Sequence, residues 1–304
     1  MAGEVHTSRR LGTFGVRRAM EAADRDERMT PTGSGDAPAS AGDLAILPIG
    51  DEVHVWHRHQ TGQPHDAAQP HDVAQPHDAA QPHDVAPQEA DLAILSEPER
   101  ARAARFVRPA DRSRYVAMHA GARRLLARYL GTDAAAIRFA RTPCCKCGSL
   151  EHGRPRIEWP ATTLTHNLSG SGEHWLLAVA DGRPVGVDLE ILRDIDIERM
   201  AEACLTDAER AYLSEQPQAR RLKEFFRCWT RKEAVVKACG VGLAAKLTGL
   251  EVHPGRRERA EVRHSSGSCP DTWLVEDLPG GPDWAGAVAQ PAEQAGPVVF
   301  RALP

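Results

Sequence analysis

Long apolar runs are missing from this sequence: no stretch approaches the roughly 18 residues a transmembrane helix needs, and no apolar segment follows the Arg-bearing start MAGEVHTSRR. A soluble, unexported, cytoplasmic chain with no membrane partner is expected. An excess of charge of one sign is also lacking. Lys plus Arg total 38 against 42 for Asp plus Glu, a formal net charge of -4, which gives no reason to expect nucleic acid as a partner. Aromatic residues make up only 5% while Gly 25 and Pro 22 are plentiful, so part of the chain should lie outside any core. Cysteine is present at seven positions, an odd number. In a reducing compartment, free or metal-bound thiols are expected rather than a disulfide framework.

What is present falls into distinct stretches. Residues 1–42 show no apolar rhythm and read as a disordered extension. Between Gln63 and Ala86 the unit QPHDAA/QPHDVA runs four times, each copy with a Pro that interrupts helices and central strands. A disordered insert spanning 60–87 follows from this, either a plain surface-loop expansion or a weak transition-metal binder through His65, His71, His77 and His83. GDEVHVWHRH before it alternates as a strand does.

From Ser96 the pattern turns helical. Ser96 precedes Glu99 by three residues, a capping box with Pro98 in its first turn; Pro109 splits the stretch into two helices and Gly131 ends it. Nine arginines against two acids lie between Glu99 and Leu130, and ten acids against four arginines between Asp181 and Glu215. Such a division suits an anionic ligand gripped on one side and a divalent cation on the other.

Two segments carry candidate chemistry. In PVGVDLEI, residues 184–191, Val185, Val187, Leu189 and Ile191 share one strand face and Gly186, Asp188 and Glu190 the other. At about 3.3 Å per residue the two carboxylates can converge on one hard cation. In the helix LKEFFRCWTRKEAVVKACG, an apolar stripe runs through Phe225, Phe226, Trp229 and Val236, and Glu233 falls inside it. Lys237 sits on the stripe's edge; Lys223, Glu224, Arg227 and Arg231 are expected on an ordinary charged face. An inward carboxylate needs a partner. Two partners are open for Glu233: an i,i+4 ion pair with Lys237, or a Mg²⁺ shared with Asp188 and Glu190.

GVDLE at 186–190, followed by WTRKEAVVKA at 229–238, resembles the paired signature of the two-subdomain, surfactin-synthetase-activating type of 4'-phosphopantetheinyl transferases. HGRP at 152–155 is similar to that family's Gly-Lys/Arg-Pro turn, THNLSGSG at 165–172 to its Asn-Leu-Ser-His-Ser loop, and LSEPERARAARF at 95–106 to its first helix; LTDAER puts Glu209 where the family has a further acid near the metal.

The resemblance, over roughly residues 91–290, implies an α+β enzyme of two similar subdomains, 43–183 and 184–304, each a small mainly antiparallel sheet packed with helices, with the active site in the cleft between them. WLLAVADG at 175–182 and WAGAVAQ at 284–290 would be equivalent strands of the two halves. It implies Mg²⁺-dependent transfer of the phosphopantetheine arm of coenzyme A to a serine of apo acyl or peptidyl carrier proteins by a monomer, serving polyketide or nonribosomal peptide synthases. Asp188, Glu190 and Glu233 would hold the metal; Glu233 would be the base, and Lys237 would stabilise the leaving phosphate. Arg102, Arg114, Arg154, Pro155, Ser169, Asp188 and Lys237 would contact coenzyme A.

Gly170 replaces the His of the family's loop, which implies weaker coenzyme A binding or a substitute such as His166, His174 or an Arg. The rivals are a non-catalytic homologue that binds only coenzyme A or carrier protein, and a Mg²⁺-dependent phosphohydrolase, for which the sequence offers no Gly-rich phosphate loop. Cys144-x-x-Cys147 reads either as half of a zinc site with His152 or as a reduced turn.

Overall fold

Alternating buried positions and glycine- or proline-marked ends produce ten strands and six α-helices among the described residues, which are 47–60, 87–150, 153–242, 245–264 and 269–303 of a computed structural model. All of them belong to one compact unit. The 1–42 extension and all but Gln60 and Pro87 of the 60–87 insert lie outside these residues.

The first half begins with strand β1 (Val53–His59). The short helix α1 (Glu89–Ile94), α2 (Glu97–Ala104) and α3 (Pro109–Leu130) follow. The Ser96–Glu99 capping box opens α2 as the spacing requires, Pro109 starts α3, and Gly131 ends α3 in the left-handed region at φ 60°. Strands β2 (Arg138–Arg141) and β3 (Pro155–Trp159) form a two-stranded ribbon. Then come β4 (Leu164–Ser171) and β5 (His174–Asp181). The THNLSGSG segment, similar to a loop by resemblance, is therefore strand β4.

The second half contains β6 (Gly186–Ile191), α4 (Ile197–Cys204), α5 (Asp207–Glu215), α6 (Gln218–Cys239), β7 (Arg259–Arg263), β8 (Thr272–Asp277) and β9 (Trp284–Pro291). Strand β10 (Val298–Ala302) follows. One sheet has the order β10-β1-β5-β4, the other β6-β9-β8-β7. Strands β5 and β9, carrying the WLLAVADG and WAGAVAQ segments, each lie one place in from β4 and β6. Strand β10 departs from a simple division at residue 184: it pairs in parallel with β1, Val53 opposite Val298, in the sheet of the first half.

Packing follows the strand alternation. Val53, Val55, Leu176 and Ala178 of the first sheet share one core with Val187, Leu189, Trp284 and Val288 of the second. On its other face the first sheet packs Trp56, Trp175 and Leu177 against Leu125, Leu126 and Tyr129 of α3. Helix α6 lies so close to β6 that a Cβ on Gly186 would come 2.1 Å from the Ala234 carbonyl oxygen and 2.4 Å from the Ala238 amide nitrogen, a close approach that only glycine permits.

Helix α6 is more deeply buried than its apolar stripe suggests. Lys223 is exposed as expected, but Glu224, Arg227 and Arg231 are buried, contrary to an ordinary charged face, and so is Lys232, because distant segments satisfy them. Asp277 receives Arg227 Nε at 2.6 Å and Arg231 Nε at 2.6 Å, while Arg231 also donates to the Val252, His253 and Arg256 carbonyls. Lys232 pairs with Glu209 at 2.7 Å, both side chains fully buried.

Candidate active site

The site is built where the free edges of two sheets meet. Strands β4 and β6 join through side chains instead of a backbone ladder: Asn167 Oδ1 accepts from the Val187 amide at 3.0 Å, and Ser171 Oγ accepts from the Ile191 amide at 3.2 Å. Ser169 Oγ donates to Asp188 Oδ1 at 2.9 Å and Ser171 Oγ to Glu190 Oε2 at 2.7 Å. Strand alternation thus places three polar residues of β4 along the seam and leaves the apolar residues of β6 in the core.

Helix α6 covers this seam with Glu233 and Lys237. Lys237 Nζ donates to Asp188 Oδ1 at 2.7 Å, to Ser169 Oγ at 2.9 Å and to the Val187 carbonyl at 3.2 Å. The lysine is thus paired with Asp188, and the i,i+4 pair with Glu233 is not the arrangement seen. Asp188 Oδ2 is buried with no hydrogen-bond partner. Burial, followed by the Asp188 carboxylate, pushes Glu190 up, opposed by Ser171 and Arg193. Glu233 is pushed up to about 8, chiefly by burial, then by Asp188 and Glu190, with Lys237 opposing. Such a shift shows buried acids with too little positive charge nearby.

These oxygens suit a hard divalent cation. The unpartnered Asp188 oxygen and the two raised carboxyls are what a missing counter-charge produces, so Asp188, Glu190 and Glu233 fit one. Their oxygens are not gathered within 4.8 Å of one another; among the described residues only Cys145, Cys239 and Cys269 form such a trio.

Glu209, expected as a further acid near the metal, has both oxygens engaged elsewhere. Oε2 accepts from the Thr206 amide at 2.9 Å and meets Lys232, and Oε1 accepts from the Val252 amide at 2.8 Å. It is a buried structural acid.

The arginines separate by environment. Arg114 bridges Asp111 and Glu173, each at 2.7 Å, tying α3 to the β4–β5 turn. Arg123 is buried on Glu99 and two carbonyls. Arg102 is half-buried over the Tyr115 ring, its Nε unpartnered; burial lowers its pKa, opposed by Tyr115, with Arg141 and Arg105 adding to the lowering. Arg141, which sequence reasoning missed, donates to the Gly153 carbonyl at 2.9 Å and sits opposite Pro155 in the β2–β3 register. Arg154 rests against Gly240 and donates to the Ala238 carbonyl at 3.3 Å, at the end of α6. The ribbon thereby links the basic side chains to the carboxylate-bearing helix.

At Gly170 an added Cβ would lie 2.6 Å from Met118 Sδ, so a side chain there requires the flexible Met118 to shift. The two candidate histidines are unsuited. Burial, assisted by His119, lowers His166 to about 4, and it stacks at an angle on Phe139. His174 is engaged by His57 at 3.0 Å and by Asp283 at 3.2 Å.

The cysteine readings also need correction. Cys145 and Cys269 form a disulfide across a sequence separation of 124, where free or metal-bound thiols were expected. Cys144 lies in a turn closed by its carbonyl accepting from the Gly148 amide at 2.8 Å; His152 lies outside the described residues. Among those residues no helix is long and apolar enough to cross a membrane.

Comparison with known proteins identifies the family. Residues 184–289, which span β6 through most of β9, match the family described as the 4'-phosphopantetheinyl transferase superfamily. The chain is similar to the 4'-phosphopantetheinyl transferase HetI of Nostoc sp., with 34% identity over 235 residues, 76% of this chain and 84% of that protein. It is also similar to Sfp of Bacillus subtilis, at 26% identity over 60% of this chain and 77% of that one, and to AcpT of Salmonella typhi, at 40% over 33% and 52%. With its carboxylate strand and helix inside the matched region, and a relative of this similarity aligned over most of its length, the chain belongs to the 4'-phosphopantetheinyl transferase superfamily and is a transferase of that type.

Proposed function

We propose that the protein transfers the 4'-phosphopantetheine arm of coenzyme A to a serine hydroxyl of apo acyl or peptidyl carrier proteins, in a Mg²⁺-dependent reaction that releases adenosine 3',5'-bisphosphate. One observation carries this reading: Asp188, Glu190 and Glu233 are brought to a buried seam with an orphaned oxygen and Lys237 as the paired cation.

The serine oxygen forms a bond to the diphosphate phosphorus that bears the pantetheine arm, and the bond from that phosphorus to the bridging oxygen breaks. Bound by Asp188, Glu190 and Glu233, Mg²⁺ would offset the charge of the diphosphate. Glu233, ionised when it shares a divalent cation with Asp188 and Glu190, would take the serine proton directly or through a water. Lys237 carries its charge beside Ser169 and Asp188, where charge develops on the leaving phosphate. Arg102, Arg141 and Arg154 supply guanidinium groups for the remaining phosphates. Arg114 reaches a phosphate only by leaving Asp111 and Glu173. Ser169 positions Asp188 and Lys237, and Pro155 fixes the start of β3 directly after Arg154. The two subdomains, 43–183 and 184–304, share the site at the β4–β6 seam, with β10 returned to the first. Polyketide and nonribosomal peptide carriers are the substrate class we assign, by resemblance to two-subdomain members.

The test is incubation with coenzyme A, Mg²⁺ and a panel of apo carrier proteins. Mass spectrometry should find phosphopantetheine on the carrier serine, abolished by EDTA and by Glu233→Gln. Absence of the adduct from every carrier would overturn the reading in favour of a non-catalytic binder.

A further inference from the structure

Three sulfurs from separate parts of the chain meet at the C-terminal end of α6. Cys145 comes from the loop after β2, Cys239 is the last residue of α6, and Cys269 precedes β8. Their Sγ atoms all lie within 4.8 Å of one another; Cys239 is buried and the other two half-buried. Cys145 and Cys269 are joined as a disulfide, and Cys239 Sγ stands 3.8 Å from Cys145 Sγ.

A disulfide needs two sulfurs, and here a third lies beside them. The spacing does match a different chemistry. Thiolates at about 2.3 Å from a tetrahedral zinc stand about 3.8 Å apart, close to the Cys145–Cys239 separation. A second observation concerns charge. The Cys239 carbonyl oxygen lies 3.4 Å from Cys145 Sγ and 3.0 Å from Cys269 Sγ, so the sulfurs surround the negative end of the helix dipole, which favours a cation. Once reduced, the two thiols have that same carbonyl as a hydrogen-bond acceptor. The half-buried Arg154 guanidinium, next to the site on Ala238, offsets surplus thiolate charge.

We infer that Cys145, Cys239 and Cys269, once reduced, form a thiolate site for Zn²⁺, with one further ligand completing the tetrahedron. Reduction by a dithiol delivers two electrons and two protons to the Cys145–Cys269 bond and leaves two thiols. Zinc binding then releases three protons from the three thiols, and three thiolates with one Zn²⁺ carry a net charge of one minus. The bound metal clamps the loop leading into Arg154 against the end of the helix that carries Glu233 and Lys237. This inference does not depend on the transfer reaction.

The histidines of the QPHDxA repeats can also bind zinc, so total metal content is not the readout. The full chain is reduced with a dithiol, freed of metal and titrated with Co²⁺, whose thiolate charge-transfer absorption reports sulfur ligands alone. A band saturating at one equivalent is expected, and zinc should displace it. Cys239→Ser and Cys269→Ser should each lower its intensity by about a third, from three thiolates to two. Cys239→Asp, which offers an oxygen ligand in place of sulfur, should retain one tight metal with the same reduction, separating ligand loss from misfolding. Cys144→Ser should leave the band unchanged. No charge-transfer band in the reduced protein, or a band untouched by Cys239→Ser and lost in Cys144→Ser, overturns the assignment.

Discussion

Replacing Glu209 by Ala should unfold the protein more readily without altering its metal requirement. The carboxylate and the Lys232 ammonium are both fully buried and 2.7 Å apart. Lys232 also donates to the Leu247 carbonyl at 2.8 Å and to the Leu250 carbonyl. Removal of the carboxylate leaves that ammonium among neutral acceptors, and it strands the Val252 amide, whose acceptor at 2.8 Å is Glu209 Oε1. Breaking a buried pair from one side costs about 3–5 kcal/mol. For a fold of this size each kcal/mol lowers Tm by roughly 2–4 °C, so a loss on the order of 6–20 °C is expected. Thermal denaturation followed by circular dichroism measures it, and the loss should persist at high salt because the pair is shielded from counter-ions. The double variant Glu209→Ala/Lys232→Met should be more stable than Glu209→Ala alone, since no buried charge is left behind. At a permissive temperature, half-maximal Mg²⁺ for transfer should equal that of the parent. A Glu209→Ala protein that melts within about 2 °C of the parent yet needs much more Mg²⁺ would refute the structural role and return Glu209 to the metal.

In EDTA, Glu233 holds its proton up to about pH 8 when folded but only to about 4.3 when unfolded; its contribution to stability is therefore full below that lower value and lost as pH rises towards 8. Tm should fall less steeply between pH 5 and 9 in Glu233→Gln, and an unchanged slope would count against the raised carboxyl. Gly186→Ala drives a Cβ into the backbone of α6, 2.1 Å from the Ala234 oxygen; transfer should drop at least tenfold with a lowered Tm, and a fully active variant would refute the close approach. Gly170→His must displace Met118, whose sulfur lies 2.6 Å from the added Cβ. It should fold with Met118 shifted and lower the coenzyme A KM, more so with Met118→Ala; an unchanged KM in the double variant removes the idea that Gly170 weakens that binding.

The acid-bearing elements were legible because their signal is local. Period-two alternation separates Asp188 and Glu190 from the core residues of β6, and the helical wheel alone sets Glu233 inside an apolar stripe. Strand β4 was concealed by its polarity: Asn167, Ser169 and Ser171 are polar because they form the seam, and the resemblance matched the segment to a loop. Buried charge on α6 was hidden for a different reason. Arg227 and Arg231 are satisfied by Asp277, Val252 and Arg256, all remote in sequence, so the wheel could only place them on a charged face. Long-range pairing equally concealed the Cys145–Cys269 bond and Arg141.

Strand β10 imposes an order on folding. The Val53 amide donates to the Pro297 carbonyl at 2.8 Å and the Leu303 amide to the His57 carbonyl at 2.7 Å, so among the described residues one flank of β1 is covered by residues 297–303. During synthesis, β1 must wait with that edge bare while some 240 residues emerge, an interval in which a strand edge invites pairing with other chains. Arg58 and His59 at its exposed end, together with the proline-bearing repeats that begin four residues later, make that edge a poor template for a stranger until its own partner arrives.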